Sequence, residues 1–92
     1  EIVPQLIELF VESTPPLLAE LREGAERADE DAVRRAAHKL KGSCQNIGAG
    51  LMARLAHRLE QGGATPADLA GLELVFADTR DALRDALGEG EA

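Results

Sequence analysis

His38 is the residue whose type and surroundings are best suited to covalent chemistry. It lies in a stretch from Ala32 to Leu59 that contains no Asp or Glu and holds six of the ten Lys and Arg residues of the chain. An exposed imidazole has a pKa of about 6.5, so at neutral pH one ring nitrogen offers a free lone pair and can act as a nucleophile without a dedicated base. Because the net charge of the chain is −7, this local positive charge predicts attraction to an acidic surface or an anionic group. A solvated basic helix face would give the same charge pattern.

The spacing of apolar residues around His38 predicts a helix with one buried face. At about 100° per residue, five apolar positions share one stripe of the kind that forms the seam of a helical bundle. These positions are Val33, Ala37, Leu40, Cys44 and Ile47. His38 lies about 140° from the middle of that stripe, so we expect it to point away from the core. The strip around His38 also carries Arg34, Arg35, Lys41 and Gln45.

Gly42 lies on the His38 face, in the interior of the same helix. Glycine at such a position costs about 1 kcal/mol relative to alanine, so its presence needs a reason. The missing Cβ could let a neighbouring helix approach, but Gly42 is not on the core stripe. It leaves open space beside the imidazole, which favours close approach by another molecule.

Length and composition predict one small all-α domain. The chain has 92 residues, is 45% hydrophobic, and is rich in Ala, Leu, Glu and Arg at helical spacings. Short loops between the helices favour antiparallel neighbours. We expect an antiparallel up-and-down four-helix bundle with a short accessory helix at the N-terminus. The bundle is expected to span residues 1–88, and residues 89–92 are expected to be a disordered tail.

Capping and helix-breaking residues set the predicted helix bounds. A first short helix covers Ile2 to Phe10 and is interrupted at residues 13–16, where Thr14 caps a second helix. A third helix opens with the acidic residues 29–31 and runs to about Asn46. A fourth carries the stripe Leu51, Leu55 and Leu59, and a fifth covers residues 65–87.

Residues 38–60 resemble the signature of histidine-containing phosphotransfer (HPt) domains of multistep two-component phosphorelays. The matching residues are His38-Lys39-Leu40-Lys41-Gly42-Ser43, then Gly48-Ala49, then an apolar helix ending in Leu59-Glu60. They cover about a quarter of the chain, and the expected bundle is similar to the family over nearly all of it. No second glycine follows Gly42, so the chain is more similar to the modules of hybrid sensor kinases than to those of chemotaxis kinases.

The resemblance implies that His38 accepts and donates a phosphoryl group, that Lys41 is the positive charge beside the phosphoryl oxygens, and that Gly42 admits the partner. At the position of Glu60, HPt-like proteins carry a Glu or Gln that accepts a hydrogen bond from Nδ1–H of the histidine and leaves Nε2 to attack. Gln45 is a further candidate neighbour of the phosphoryl site. The residues expected to bind the partner are Arg34, Arg35, Lys39 and Ser43.

The resemblance also implies that a receiver domain supplies Mg²⁺ and the acceptor aspartate. Phosphoryl transfer needs a metal and positioning, and this chain has no cluster of carboxylates near His38. We therefore expect a phosphocarrier with no cofactor of its own rather than an enzyme. The expected partners are receiver domains, including those of a hybrid sensor kinase in the same chain. The domain is expected to be monomeric and cytoplasmic, including as the cytoplasmic part of a membrane-anchored kinase.

Other kinds of function are less well supported by the residues. The net charge argues against nucleic-acid binding, and no apolar run approaches the roughly 18 residues of a membrane span. His57 and His38 would need a third ligand to hold a metal, and Cys44 falls on the core stripe. Ser43 has no acid–base partners for nucleophilic catalysis. Two alternatives stay open: a non-catalytic helical docking module for an acidic partner, and a dimerisation bundle of a kinase.

Overall fold

The computed structural model of the chain describes residues 4–62 and 64–91, and the side chains of residues 89–91 lie outside that description. Four helices form within these residues: α1 (Pro4–Glu26), α2 (Glu30–Ile47), α3 (Gly50–Glu60) and α4 (Pro66–Glu91). Each helix packs against the next one along the chain, and α4 packs against α1. Because the connections are short, neighbouring helices are antiparallel. The predicted all-α four-helix bundle is confirmed, with dimensions of 46 × 19 × 19 Å.

The predicted accessory helix is not a separate element, because α1 runs without interruption through Pro15 and Pro16. Both prolines are exposed, and each lacks the N–H that would bond to the carbonyl four residues earlier. The residue before them, Thr14, is fully buried and donates a hydrogen bond from Oγ1 to the carbonyl of Phe10 at 2.6 Å. The buried face continues at helical spacing from Ile7 to Gly24. Packing against the bundle therefore keeps α1 in one piece where local propensity predicts a break.

The helix that carries His38, α2, begins and ends at caps that its sequence specifies. The side chain of Asp29 accepts a hydrogen bond from the backbone N–H of Ala32 at 3.1 Å, which satisfies one of the unpaired amides of the first turn. At the other end Gly48 takes a left-handed conformation with φ of 78°, which glycine adopts without strain. These caps place His38 near the middle of a rigid helix.

The core contains every residue of the stripe predicted on α2. Val33, Ala37, Leu40, Cys44 and Ile47 are all buried. The two aromatic residues of the chain, Phe10 and Phe76, pack together with ring centroids 5.8 Å apart. The rest of the buried cluster is aliphatic apart from Cys44 and Met52. His38 is exposed, as its angular position on the helix predicts.

The face that α3 turns to the core differs from the prediction. Its buried residues are Met52, Ala56 and Leu59, whereas Leu51 is 51% exposed and Leu55 is half-buried. The two stripes share Leu59 and differ by one residue at their other two positions, so the centre of the buried face is rotated by about 70° from the predicted one. Apolar residues lie on both faces of this 11-residue helix, so its sequence pattern leaves the rotation open and packing against α2 and α4 decides it.

The last helix is longer than predicted, because α4 continues through Gly88 to Glu91. Gly88 does not take a positive φ, so it does not act as a helix-ending cap here. Of the residues named in the sequence analysis, Ile2 lies outside the described part of the chain, as does Ala92 in the proposed tail. The division into a bundle of residues 1–88 and a tail of residues 89–92 stays a prediction. Within the described residues, no helix is long and apolar enough to cross a membrane.

Candidate functional site

The site is built where the middle of α2 faces the last residue of α3. Glu60 Oε1 lies 2.7 Å from His38 Nδ1, and Glu60 Oε2 accepts a hydrogen bond from Lys41 Nζ at 2.6 Å. The His38 side chain is 68% exposed, whereas those of Lys41 and Glu60 are only 21% and 18% exposed. One carboxylate thus connects an exposed imidazole to a half-buried ammonium group.

The charge of Glu60 determines the tautomer of the His38 ring. The hydrogen bonds from Lys41 and then from His38 lower the pKa of Glu60 from 4.5 to about 2, so this carboxylate is ionised at neutral pH and can only accept hydrogen bonds. Nδ1 of His38 must therefore be the donor. In the neutral ring the lone pair is then on Nε2, and no hydrogen bond to Nε2 forms among the described residues. The result is an oriented, exposed nitrogen nucleophile.

A titration of stability should reveal the lowered pKa of Glu60. A carboxylate whose folded-state pKa is lowered stabilises the native state above its unfolded pKa, and this contribution is lost as pH falls through the folded value. We expect wild type to exceed Glu60→Gln in free energy of unfolding at pH 5. The difference should shrink as pH falls from about 4.5 to about 2. Urea unfolding followed by circular dichroism at 222 nm at each pH measures it.

A matched variant distinguishes the loss of this contact from the general effect of low pH on the free energy of unfolding. Glu12 is an exposed carboxylate on α1, and Glu12→Gln removes one negative charge far from α3. We expect the difference between wild type and Glu12→Gln to vary less over the same pH range. A wild-type advantage over Glu60→Gln that stayed constant from pH 5 to pH 2 would contradict the ionised contact.

Three further predicted residues lie around the imidazole. A Cβ placed on Gly42 would meet nothing within 4 Å, so the space beside His38 is open to solvent rather than filled by a neighbouring helix. Gln45 is exposed and lines a groove on the α3 side together with Lys41. Arg34 is exposed, also on the α3 side, and forms an ion pair with Asp31 of its own helix. The structure thus brings these residues close to the His38 face.

The other three predicted partner-binding residues lie on the α1 side of α2. Arg35 and Lys39 line a groove together with two acidic residues of α1, Glu20 and Glu23. Ser43 lies in a smaller groove beneath the N-terminal part of α1, which it shares with Leu6 and Leu9. The structure therefore does not bring Ser43 together with His38 and Glu60, because a position five residues further along a helix is turned by about 140°.

Three side chains of α3 lie next to this site although the sequence analysis gave them no role in it. Arg54, His57 and Arg58 are exposed and share the groove that Lys41 and Gln45 line. His57 Nδ1 lies 3.7 Å from Glu60 Oε2. The signal that could have pointed to them is their spacing, because residues three or four apart on a helix are neighbours on its surface. Arg54 lies three residues before His57 and four before Arg58, and His57 lies three before Glu60.

The described residues offer no assembled metal centre. No group of three or more His, Cys, Asp or Glu side chains comes together there in a way that could hold a metal ion. Cys44 is fully buried, and burial raises the pKa of its thiol from 9.0 to about 11. Since the thiolate is the reactive form, this cysteine is inert in the folded domain.

Comparison with known proteins identifies the family. Residues 5–89 match the family described as Hpt domain. Over 61 residues, 66% of this chain, the sequence is 34% identical to Sensor protein TorS of Escherichia coli (strain K12), and the matched part is 7% of that protein. No solved structure matches the chain. The family match covers nearly all of the described bundle, including α2 and α3 with the His38 site, and the chain therefore belongs to the Hpt domain family, whose members carry out histidine phosphotransfer in phosphorelays.

Proposed function

We propose that His38 is the phosphorylated residue of this Hpt domain. It takes a phosphoryl group from an aspartyl phosphate on one receiver domain and passes it to the aspartate of another. The observation that carries the proposal is the hydrogen bond between His38 Nδ1 and the ionised Glu60, which leaves Nε2 as the free nitrogen of an exposed ring. His57, the other histidine, is 3.7 Å from the same carboxylate and has no comparable hydrogen bond.

The chemical step follows from this geometry. The lone pair of His38 Nε2 attacks the phosphorus atom, the new N–P bond forms, and the P–O bond to the receiver aspartate breaks so that a free carboxylate leaves. The ring keeps its Nδ1–H and gains a formal positive charge, which the negative charge of Glu60 stabilises at 2.7 Å. Transfer to the next receiver reverses each bond change, and no proton has to leave the ring.

Charged and polar side chains near the imidazole are proposed to bind the phosphoryl oxygens or the partner. Lys41 is held beside His38 by Glu60, so its ammonium group is in place for the doubly negative phosphoryl group. Gln45 is proposed to lie beside the phosphoryl group. Arg34, Arg35, Lys39 and Ser43 are proposed to contact the receiver, the last three on the α1 side of α2. We propose that Mg²⁺ is bound by the receiver domain, because phosphoryl transfer uses a divalent cation and the described residues of this domain hold no group of three or more His, Cys, Asp or Glu side chains that could bind one.

Removing the ammonium group of Lys41 should slow transfer without abolishing it. A single charge pair between the ammonium group and the phosphoryl oxygens contributes about 1 kcal/mol, so Lys41→Ala is expected to reduce the transfer rate about fivefold to tenfold. Lys41→Arg, which keeps the positive charge, should retain most of the rate. Single-turnover assays from receiver to domain and from domain to receiver measure both. Wild-type rates in both directions for Lys41→Ala would remove Lys41 from the site.

The proposal is tested by locating the phosphoryl group. Each of a panel of purified receiver domains is phosphorylated with acetyl phosphate and incubated with this domain and Mg²⁺. The product is then mapped by mass spectrometry under non-acidic conditions, because phosphohistidine is labile to acid and stable to alkali. Label on His38 supports the proposal. Measurable binding to receivers with no label from any of them would favour a non-catalytic docking module instead.

The similarity to a protein named as a sensor supports a role for this domain in a sensor kinase system. The domain is proposed to act in the cytoplasm within a hybrid sensor kinase system and as a monomer. Gel filtration over a hundredfold range of protein concentration tests the last point, since a dimerisation bundle would change its elution volume with concentration.

A further inference from the structure

A basic groove runs between α2 and α3 directly beside the His38 site. It has a volume of about 570 Å³ and is lined by Lys41, Gln45, Ala53, Arg54, His57 and Arg58. No carboxylate is among these lining residues. Arg54 and Arg58 are exposed and lie four residues apart on one face of α3. Lys41 belongs both to the groove and to the His38 site, so the two are continuous.

The arginines of this groove differ from most other cations of the chain, because among the described residues they neither form an ion pair with a carboxylate nor share a groove with one. Arg22, Arg34 and Arg80 form ion pairs with Glu73, Asp31 and Asp81. Arg35 and Lys39 share their groove with Glu20 and Glu23. In the part of the chain that the structure describes, by contrast, no carboxylate lies within 4.0 Å of Arg54 or Arg58.

Asp68, whose pKa the charge of Arg58 helps to lower, is held by contacts at the start of α4. Asp68 Oδ2 accepts a hydrogen bond from the backbone N–H of Thr65 at 3.1 Å, and this contact lowers the pKa of Asp68 more than the charge of Arg58 does. Asp68 therefore stabilises the start of α4 and leaves the guanidinium group of Arg58 available. On a chain with a net charge of −7, the groove is a local concentration of positive charge in which Lys41 is paired with Glu60 and the two arginines form no ion pair among the described residues.

We infer that Arg54 and Arg58 form a docking surface for acidic side chains on the receiver domain, outside the receiver's own phosphorylation site. The inference rests on the proposed function, because it takes the partner to be the receiver that reacts at His38. Charge complementarity identifies the occupant as acidic. The continuity of the groove with Lys41 places that acidic surface on the same molecule that reaches the imidazole. Binding of nucleic acid is disfavoured by the negative charge of the rest of the chain.

Such a surface acts on association rather than on the chemical step. Arg54 and Arg58 are exposed charges six and two residues before Glu60, and the hydrogen-bond partner of His38 is Glu60 rather than either arginine. Charges of this kind at the rim of an interface mainly raise the association rate and make it depend on salt. Their removal should therefore lower the second-order rate constant of transfer and leave the plateau rate at saturating receiver largely unchanged.

The test compares two double charge reversals with identical changes in net charge. In Arg54→Glu/Arg58→Glu, the second-order rate constant for transfer from a phosphorylated receiver should fall about tenfold to a hundredfold. The plateau rate should stay within about twofold of wild type, and the dependence on salt should weaken. The control, Arg22→Glu/Arg84→Glu, reverses two exposed arginines, one on α1 and one on α4. Neither lines this groove or the groove that holds Arg35 and Lys39. The receiver used is the one in the acetyl phosphate panel that labels wild type fastest.

Each outcome of this experiment decides the inference. A selective loss in the groove variant supports it, and an equal loss in both variants would show only an effect of net charge and would overturn it. If circular dichroism shows that the charge reversal disturbs folding, Arg54→Gln/Arg58→Gln replaces it, with a smaller loss in the same constant expected. Normal labelling of wild type with an unchanged groove variant overturns the docking surface alone. Failure of every receiver to label wild type overturns the proposed function and the docking surface together.

Discussion

Replacing His38 with alanine is expected to abolish phosphoryl labelling of the domain while leaving its fold intact. The loss of labelling should be complete, because the variant has no nitrogen at the position where Nε2 is presented to the partner. Stability should change by less than about 1 kcal/mol, since the side chain is 68% exposed and surface substitutions have small effects. Glu60 keeps its hydrogen bond from Lys41, so no buried charge is left without a partner.

Two measurements check this prediction independently. Autoradiography and mass spectrometry after incubation with a phosphorylated receiver report the label, and thermal unfolding followed by circular dichroism reports the stability. His57→Ala is the matched variant, and mapping should still find the label on His38 in it. Residual label in His38→Ala would place the reactive residue elsewhere. A large drop in melting temperature would contradict the exposed position of the imidazole.

Filling the open space at Gly42 should have opposite effects on stability and on transfer. A Cβ at this position meets nothing within 4 Å, and glutamine is a better helix former than glycine by several tenths of a kcal/mol. Gly42→Gln should therefore be as stable as wild type or slightly more stable. The new side chain stands one turn after His38, in the space through which the proposed transfer brings the receiver aspartate. Because a displacement of about 1 Å of the reacting groups can cost about a hundredfold in rate, we expect transfer to fall by at least that factor.

The matched control for this substitution is Gly71→Gln on α4. Gly71 is also inside a helix, its Cβ position also meets nothing within 4 Å, and α4 contributes no residue to the His38 site. Denaturant unfolding should give a similar gain in stability for both variants, while single-turnover transfer should fall only for Gly42→Gln. Full transfer activity in Gly42→Gln would mean that the missing Cβ has no role in admitting the partner.

Local periodicity was sufficient to predict the helix that carries the site. The stripe from Val33 to Ile47, the cap at Asp29 and the end at Gly48 all depend on residues within a few turns of one another. The helical backbone sets their mutual geometry through its own hydrogen bonds. For the same reason the exposed position of His38, and the presence of Lys41 and Gly42 one turn further along, could be derived from spacing alone.

The same local reasoning failed where tertiary packing overrides propensity. Pro15 and Pro16 predict a helix break, yet the buried face of α1 continues past them because Phe10, Thr14 and Leu21 all pack into the core. On α3, leucines on two faces leave the rotation of the helix open, and the bundle buries the face with Met52. A helix pattern contains no information about which neighbouring surfaces it meets.

The sequence by itself determined the all-α fold class, the course of α2 and the set of side chains that surround His38 on that helix. Only the tertiary structure decided how Glu60, 22 residues away in the chain, contacts both His38 and Lys41, and on which side of α2 each basic residue lies. The physical reason is the range of the interactions involved. Helix periodicity arises from hydrogen bonds between residues four apart, whereas the distance from Glu60 to the imidazole depends on how four helices pack around one shared core.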